Sequence, residues 1–267
     1  MPYELIEVEE VGRVGIIRMN RPEKLNAWSR EMAAEQRAAI EAFNADREIG
    51  SIVMTGNGRA FCAGADISGW ADEFAQEEGR HEPEAEEFEE NWLDFCTRSK
   101  PLIAAVNGFC IGVGATQILP FDIRLASERA QFSFRFVKMG LLPELASTAM
   151  LPRIIGLGNA LEICMTARMV DAETALRMGL VSRVVADDGL MDAALELANE
   201  VALNPSAQLV EMKGLFQRHA VEQDLARVLE VEGRALAAAA ASPEHAEAVA
   251  AFIAKREPDF YRAETSG

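Results

Sequence analysis

Two loops of small residues constrain this chain more than anything else in it. They are Phe61-Cys62-Ala63-Gly64-Ala65-Asp66 and Asn107-Gly108-Phe109-Cys110-Ile111-Gly112-Val113-Gly114-Ala115. Each stands where an apolar strand is expected to end and a helix to begin. At such a junction the first backbone N–H groups have no partner within the helix and can point at an anion. Two loops of this kind predict a pair of amide donors converging on one developing oxyanion, the equipment for acyl-transfer or enolate chemistry.

The rest of the pattern supplies a frame for those loops. Tyr3 to Val8 and Val14 to Met19 read as a hairpin about Gly12. Ser29 is placed to cap a helix from Arg30 to Asn44, and Ser51 to Thr55 is a short apolar strand. Leu102 to Val106, Asp122 to Ala126 and Val181 to Val185 are further strands. Asn159 to Thr166 and Ala172 to Met178, the latter behind Asp171, are helical. From Leu190 onward the pattern is helix throughout, broken at Asn204-Pro205 and Ser242-Pro243. Strands alternating with helices predict an α/β core with mostly parallel pairing over residues 1–203, followed by a helical region over 204–267. The acidic run from Asp72 to Asp94 reads as a solvated segment or a lid, with Phe88, Trp92 and Phe95 giving its later part an apolar face for docking.

Charge and cysteine usage narrow the function. The 43 acidic and 26 basic side chains leave a formal net charge of −17, a surface that repels nucleic acid and anionic membrane. The four cysteines (Cys62, Cys96, Cys110, Cys164) form no C-x-x-C and have no histidine cluster beside them. They are read as reduced thiols of a cytoplasmic protein, not as a disulfide frame or a metal site. Cys62 and Cys110 lie inside the two loops, but no histidine is near either in sequence, so buried thiols are expected there and not nucleophiles. No basic n-region with an apolar h-region opens the chain, and no run of about 18 apolar residues occurs. The Gly112-Val113-Gly114 turn does not fit a dinucleotide fingerprint: its third glycine would fall at Gln117, and no acid ends a strand about 20 residues on.

With those motifs in place, the chain resembles the crotonase (enoyl-CoA hydratase/isomerase) superfamily over nearly its whole length. The resemblance is carried, in order, by Asn20-Arg21-Pro22-Glu23-Lys24-Leu25-Asn26-Ala27, by the first loop through Ile67, and by Lys100 to Gly108. It continues in Phe121 to Ala126, Gly140-Leu141-Leu142-Pro143, Ala175 to Val181 and Ala251 to Pro258. It implies a spiral of β-β-α turns with a C-terminal helical region that trimerises, giving a homotrimer or hexamer. It also implies an acyl-CoA thioester as substrate, with coenzyme A entering as part of that substrate and no resident cofactor. The matching oxyanion donors are the backbone N–H groups of Ala63 and Val113, with the positive end of the helix after Gly112 adding to the second. Coenzyme A would lie along Lys24-Leu25 and the Ala65-Asp66-Ile67 backbone, with Lys24, and Lys255 from a neighbouring subunit, answering its phosphates. A lysine exposed in a turn is the alternative for Lys24.

The chain departs from that family where reaction type is decided. Family hydratases use two glutamates; the matching positions here hold Thr116 and Phe136, neither of which can act as a carboxylate acid or base. Glu144, after Gly140-Leu141-Leu142-Pro143, matches a carboxylate that the family's Δ3,Δ2-enoyl-CoA isomerases use to shuttle a proton. One base suits isomerisation, which removes and returns a single proton. Burial beside Phe136 and Leu142 is expected to raise the pKa of Glu144 and help it act as both base and acid. The resemblance therefore implies enoyl-CoA isomerisation through Glu144. Enoyl-CoA hydration in fatty-acid oxidation, thioester hydrolysis or dehalogenation, and non-catalytic acyl-CoA binding are the alternatives.

Overall fold

The computed structural model describes residues 3–68 and 88–261. The expected hairpin forms from β1 (Ile6–Val11) and β2 (Val14–Met19), antiparallel about Gly12 at φ +59°. Strands β3 (Ser51–Gly56), β5 (Leu102–Val106), β7 (Ile123–Ser127) and β10 (Arg183–Val185) extend it to a six-stranded sheet, parallel from β2 onward. β3 and β5 are buried along their whole length, which is why they read as continuous apolar runs and not as alternating ones.

The period-2 geometry of these strands divides their side chains between two cores. Val14, Ile16, Val53, Ile103, Ala105 and Leu125 pack under Leu190, Ala194 and Ala198 of a helix over Leu190–Ala202. Ile17, Met19, Ile52, Met54, Leu102, Ala104 and Val106 face the larger core on the other side. There the helix α1 (Arg30–Ala45) contributes Met32, Ile40 and Phe43, with the Ser29 hydroxyl accepting the Met32 N–H at 3.3 Å as its cap. Lys100 closes the other end of α1, its ammonium donating to the carbonyl of Phe43 at 2.8 Å and to that of Asp46, where the helix leaves carbonyls unsatisfied.

A second sheet holds the functional loops. It consists of β4 (Ala60–Cys62), β6 (Phe109–Ile111), β8 (Gln131–Ser133) and β9 (Val170–Asp171), side by side in that order, the first three parallel. None of the last three is legible from sequence, because strands of two or three residues carry no periodicity. A helix over Ser147–Ile155 is likewise an addition to the expected pattern. The helix expected straight after the first loop does not begin there: Ala65 bridges to Trp28 and the chain stays non-helical to Ser68. Most of the acidic run falls on 69–87, outside the described residues. Its end is helical, α2 (Trp92–Arg98), with Trp92 and Phe95 buried as expected.

The loop before α1 is clasped to β4 by one side chain. Asn26, fully buried at φ +54°, accepts the Arg21 N–H at 2.8 Å and donates to the carbonyls of Asn57 and Ala60 at 3.0 and 2.8 Å. Asn tolerates this left-handed backbone better than most residues. Asn26→Ala removes all three bonds and leaves buried groups without partners, so a loss of about 2–4 kcal/mol is expected in urea unfolding.

Among the described residues after Leu203, the longer helices are Ser206–His219, Leu225–Ala240 and Pro243–Ala254. The first is tied to the core, packing on α2 and pairing Lys213 with Asp122 at 2.6 Å. No residue of the helix over Leu225–Ala240 is buried in the chain, and its Leu225, Leu229 and Leu236 are each about 70% exposed.

Candidate active site

Three loops leave the C-terminal ends of neighbouring parallel strands: 63–65 from β4, 112–113 from β6 and 134–139 from β8. Strand pairing therefore brings together segments some 75 residues apart, at the end of the sheet where α/β proteins gather their ligands. Between these loops and the Leu141–Leu145 segment lies a cavity of about 730 Å³. Its walls are chiefly apolar, with Trp28, Ile67, Ile111, Phe136, Met139, Leu141 and Leu145 contributing. Among the described residues that line it, Glu144 is the one carboxylate.

One of the two expected donors is spent on a backbone carbonyl. The Ala63 N–H is committed to the Leu25 carbonyl at 3.1 Å. Ala65 is different. Trp28 donates to the Gly64 carbonyl and accepts from the Asp66 N–H, at 2.8 and 2.9 Å, so Ala65 is the residue opposite Trp28 in a parallel bridge. In a parallel ladder that residue turns its own N–H away from the partner strand. Among the described residues the Ala65 N–H has no acceptor. Neither has that of Val113, the first residue of a helix over Val113–Thr116. Both line the cavity. The open pair of amides is thus Ala65 and Val113, and Ala63 is the anchor of the loop. The sequence cannot distinguish Ala63 from Ala65, since only the bridge to Trp28 fixes which amide is spent. The helix after Gly112 is a single turn, so its contribution is individual amides and not a summed dipole.

Glu144 is half-buried in the opposite wall. Thr116, fully buried, donates its hydroxyl to Glu144 Oε1 at 2.5 Å. That bond unites two positions 28 residues apart which the sequence gives no reason to pair. Phe136 packs into the same wall, 9% exposed, as expected. Leu142 does not: it is 84% exposed and leaves Phe136 and Leu145 as the apolar neighbours in the wall. Directly after Glu144, Leu145 and Ala146 both take left-handed backbone, φ +54° and +59°. Such strain in non-glycine residues gathers at functional sites.

The residues expected along coenzyme A have mixed fates. Leu25 is left-handed at φ +55°, and Ile67 is 51% exposed at the cavity edge. Asp66 is a clasp: its carboxylate pairs with Arg21 at 2.9 Å and Lys24 at 3.0 Å, and its N–H is spent on Trp28. Lys24 therefore carries a partner of its own, although its side chain is 46% exposed. Lys255 is exposed and is not among the residues lining the cavity within one chain. Sequence reasoning overlooked Arg135 and Lys138, which line the cavity and have no acidic partner among the described residues. They are positive charges there that an anionic substrate group could use.

The Ser68 hydroxyl first, then Lys24 and Arg21, hold the Asp66 carboxyl well below the usual carboxylate range. A depressed folded-state pKa gives stability that is present above the unfolded value, near 4, and lost as pH falls below it. Acid unfolding monitored from pH 6 to 2 is expected to be flatter below pH 4 in Asp66→Asn than in the parent chain.

The cysteines behave as buried thiols. Burial pushes Cys62 up to about 11 and Cys110 well above its ordinary value, so neither is a thiolate at neutral pH. Among the described residues no group of three or more histidine, cysteine or acidic side chains could hold a metal ion.

The family model for enoyl-CoA hydratase/isomerase matches residues 9–263. The chain belongs to the enoyl-CoA hydratase/isomerase family. It is 37% identical over 265 residues to a Rhizobium meliloti protein named "Probable enoyl-CoA hydratase", covering 97% of this chain and 99% of that one. It is 33% identical over 264 residues to the 1,2-epoxyphenylacetyl-CoA isomerase of Escherichia coli, covering 97% and 98%. The crystal structure of an enoyl-CoA hydratase from Bacillus anthracis superposes with a TM-score of 0.85 at 27% identity, over 97% of this chain and 99% of that one. The fold is accordingly the crotonase fold. No helix among the described residues is long and apolar enough to cross a membrane.

Proposed function

We propose that this member of the family isomerises a 3-enoyl-CoA to a 2-enoyl-CoA, with Glu144 as the sole proton carrier. The observation that carries this reading is the wall of the cavity. Glu144 is its one carboxylate among the described residues, facing two open amides, while Thr116 and Phe136 occupy the positions from which a hydratase would supply carboxylates. The thioester oxygen would lie between the N–H groups of Ala65 and Val113. The Glu144 carboxylate takes a proton from C2; the electron pair delocalises onto the thioester oxygen through C1 and onto C4 through the C3–C4 double bond, as a dienolate. The two amides stabilise that charge without having to reorganise. The Glu144 carboxylic acid then returns the proton at C4, and the double bond stands between C2 and C3.

Coenzyme A would run from the Ala65–Ile67 edge past Lys24, with no further resident cofactor required. Assembly into a trimer or hexamer through the region 204–267 belongs to the same reading, supported by the large apolar exposure of its helices. Hydration is the second reading, favoured by the names of several relatives. Incubation with 2-enoyl- and 3-enoyl-CoA in deuterated water separates the two. Migration of the double bond with deuterium exchange supports isomerisation; 3-hydroxyacyl-CoA as the main product overturns it.

A further inference from the structure

We propose that Arg135 and Lys138 form an anion subsite for a carboxylate at the far end of the acyl group, so that the preferred substrates are CoA thioesters of dicarboxylic acids. This rests on the placement of the thioester oxygen between the Ala65 and Val113 amides. Arg135 and Lys138 both line the cavity and belong to one 3-10 helix, Arg135–Met139. With three residues per turn, side chains at i and i+3 eclipse, so the two cations share one face of that helix. Its end is fixed by Gly140 at φ +69°. There the Gly140 N–H donates to the Val137 carbonyl at 3.2 Å and the Leu141 N–H to the Phe136 carbonyl at 3.0 Å. Buried Phe136 anchors the turn between the two charges.

Two like charges held side by side repel each other unless an anion offsets them. The chain has 43 acidic against 26 basic side chains, yet neither Arg135 nor Lys138 has an ionic partner among the described residues. Arg21, Lys24, Arg98 and Lys213 all have one. The wall's one carboxylate among those residues, Glu144, already takes the Thr116 hydroxyl. The cavity therefore carries a local positive excess inside an acidic molecule, which suits an anionic ligand group.

The order of the second sheet indicates which end of the substrate that group occupies. β4, β6 and β8 lie side by side, and the loops they feed follow the same order. The thioester oxygen lies between the first loop and the second. With coenzyme A leaving past Ile67 and Lys24, on the β4 side, the acyl group extends toward the third loop, which holds Arg135 and Lys138. A guanidinium offers a planar fork that meets a carboxylate through two hydrogen bonds, and the ammonium adds a point charge.

Calorimetric titration with adipyl-CoA and hexanoyl-CoA tests this. The two saturated esters share a six-carbon chain and differ in the terminal carboxylate, and neither can isomerise, so the result does not depend on Glu144. The eight-carbon pair, suberyl-CoA and octanoyl-CoA, covers a longer reach. In at least one pair the dicarboxylic ester is expected to bind about tenfold more tightly. That is the low end for hydrogen bonds between charged groups, because both cations are exposed. In the double variant Arg135→Gln, Lys138→Gln the preference should fall below about twofold, and in Arg135→Glu, Lys138→Glu it should reverse. The loss caused by the glutamine pair should persist with adipyl-pantetheine or suberyl-pantetheine, which lack the nucleotide phosphates. Equal affinity within both pairs overturns the subsite alone. A glutamine pair that weakens both members of a pair by one factor, or only the CoA esters, assigns the cations to the phosphates of coenzyme A and also overturns it. A parent chain that binds none of these esters overturns the placement of the thioester itself, and the subsite with it.

Discussion

Glu144→Gln is expected to lower the isomerisation of a 3-enoyl-CoA by about 10²–10⁴-fold, the range typical of removing a general acid–base group. The amide cannot accept the C2 proton, and among the described residues no second carboxylate lines the cavity to take over. Acyl-CoA affinity should change little, because the open amides of Ala65 and Val113, the positive charges of Arg135 and Lys138 and the apolar side chains of the wall all stay in place. The fold should also survive, since glutamine is near-isosteric and can still accept the Thr116 hydroxyl through its amide oxygen. The measurement is a steady-state assay beside a binding titration with a saturated acyl-CoA. Lost turnover with retained binding is the expected pair. Turnover within threefold of the parent chain would remove Glu144 from the mechanism. Lost binding together with lost turnover would mean that the substitution had disturbed the cavity instead.

Gly114→Ala is expected to be comparably damaging by a different route. A Cβ on Gly114 would stand 2.4 Å from the Cys62 carbonyl oxygen and 2.8 Å from the Cys62 Cβ. The first of these is backbone of β4 and cannot swing aside as a flexible side chain would. The two loops must therefore part, and they are the loops that carry the open amides of Ala65 and Val113. Overpacking of this kind costs about 1–3 kcal/mol of stability. Displacing one oxyanion donor lowers the rate by about 10²–10³-fold. The expected result is a folded chain with a lower unfolding midpoint in urea and a kcat reduced by at least 10²-fold. A variant with parent-like kcat would show that the amide pair does not depend on this close approach.

The two variants mark how differently the parts of the site show in the sequence. Glu144 and Val113 are identifiable from the resemblance alone, because each sits in a motif with a fixed offset from glycine or proline. The glycine loops are visible for a physical reason: only residues without bulk allow β4 and β6 to bring their ends into contact. Thr116 shows in the sequence only as the absence of a glutamate. Its partner is 28 residues on, in a loop with no regular structure, and no periodicity links such positions. Which of Ala63 and Ala65 keeps an open N–H is not legible in the sequence, because adjacent small residues look alike until the ladder to Trp28 shows which N–H is occupied. Leu142 was misjudged because an apolar residue after glycine gives no sign of which way it faces. Asn26 falls between these cases: it lies within the recognised motif, but its three bonds to Arg21, Asn57 and Ala60 are long-range.

The sequence alone determined the α/β class, the long parallel strands and the helical region after Leu203. Those features follow from periodicity and from breakers that act over a few residues. It also determined the family, through a series of short motifs in fixed order. The four short strands of the second sheet, and with them the meeting of 63–65, 112–113 and 134–139, were decided by tertiary structure. A three-residue strand has no stability of its own and exists because its neighbours pair with it. For the same reason only the folded chain reveals which amide is left open and which hydroxyl holds Glu144. A hydrogen bond is assigned by what competes for it in space, and that competition has no counterpart along the chain.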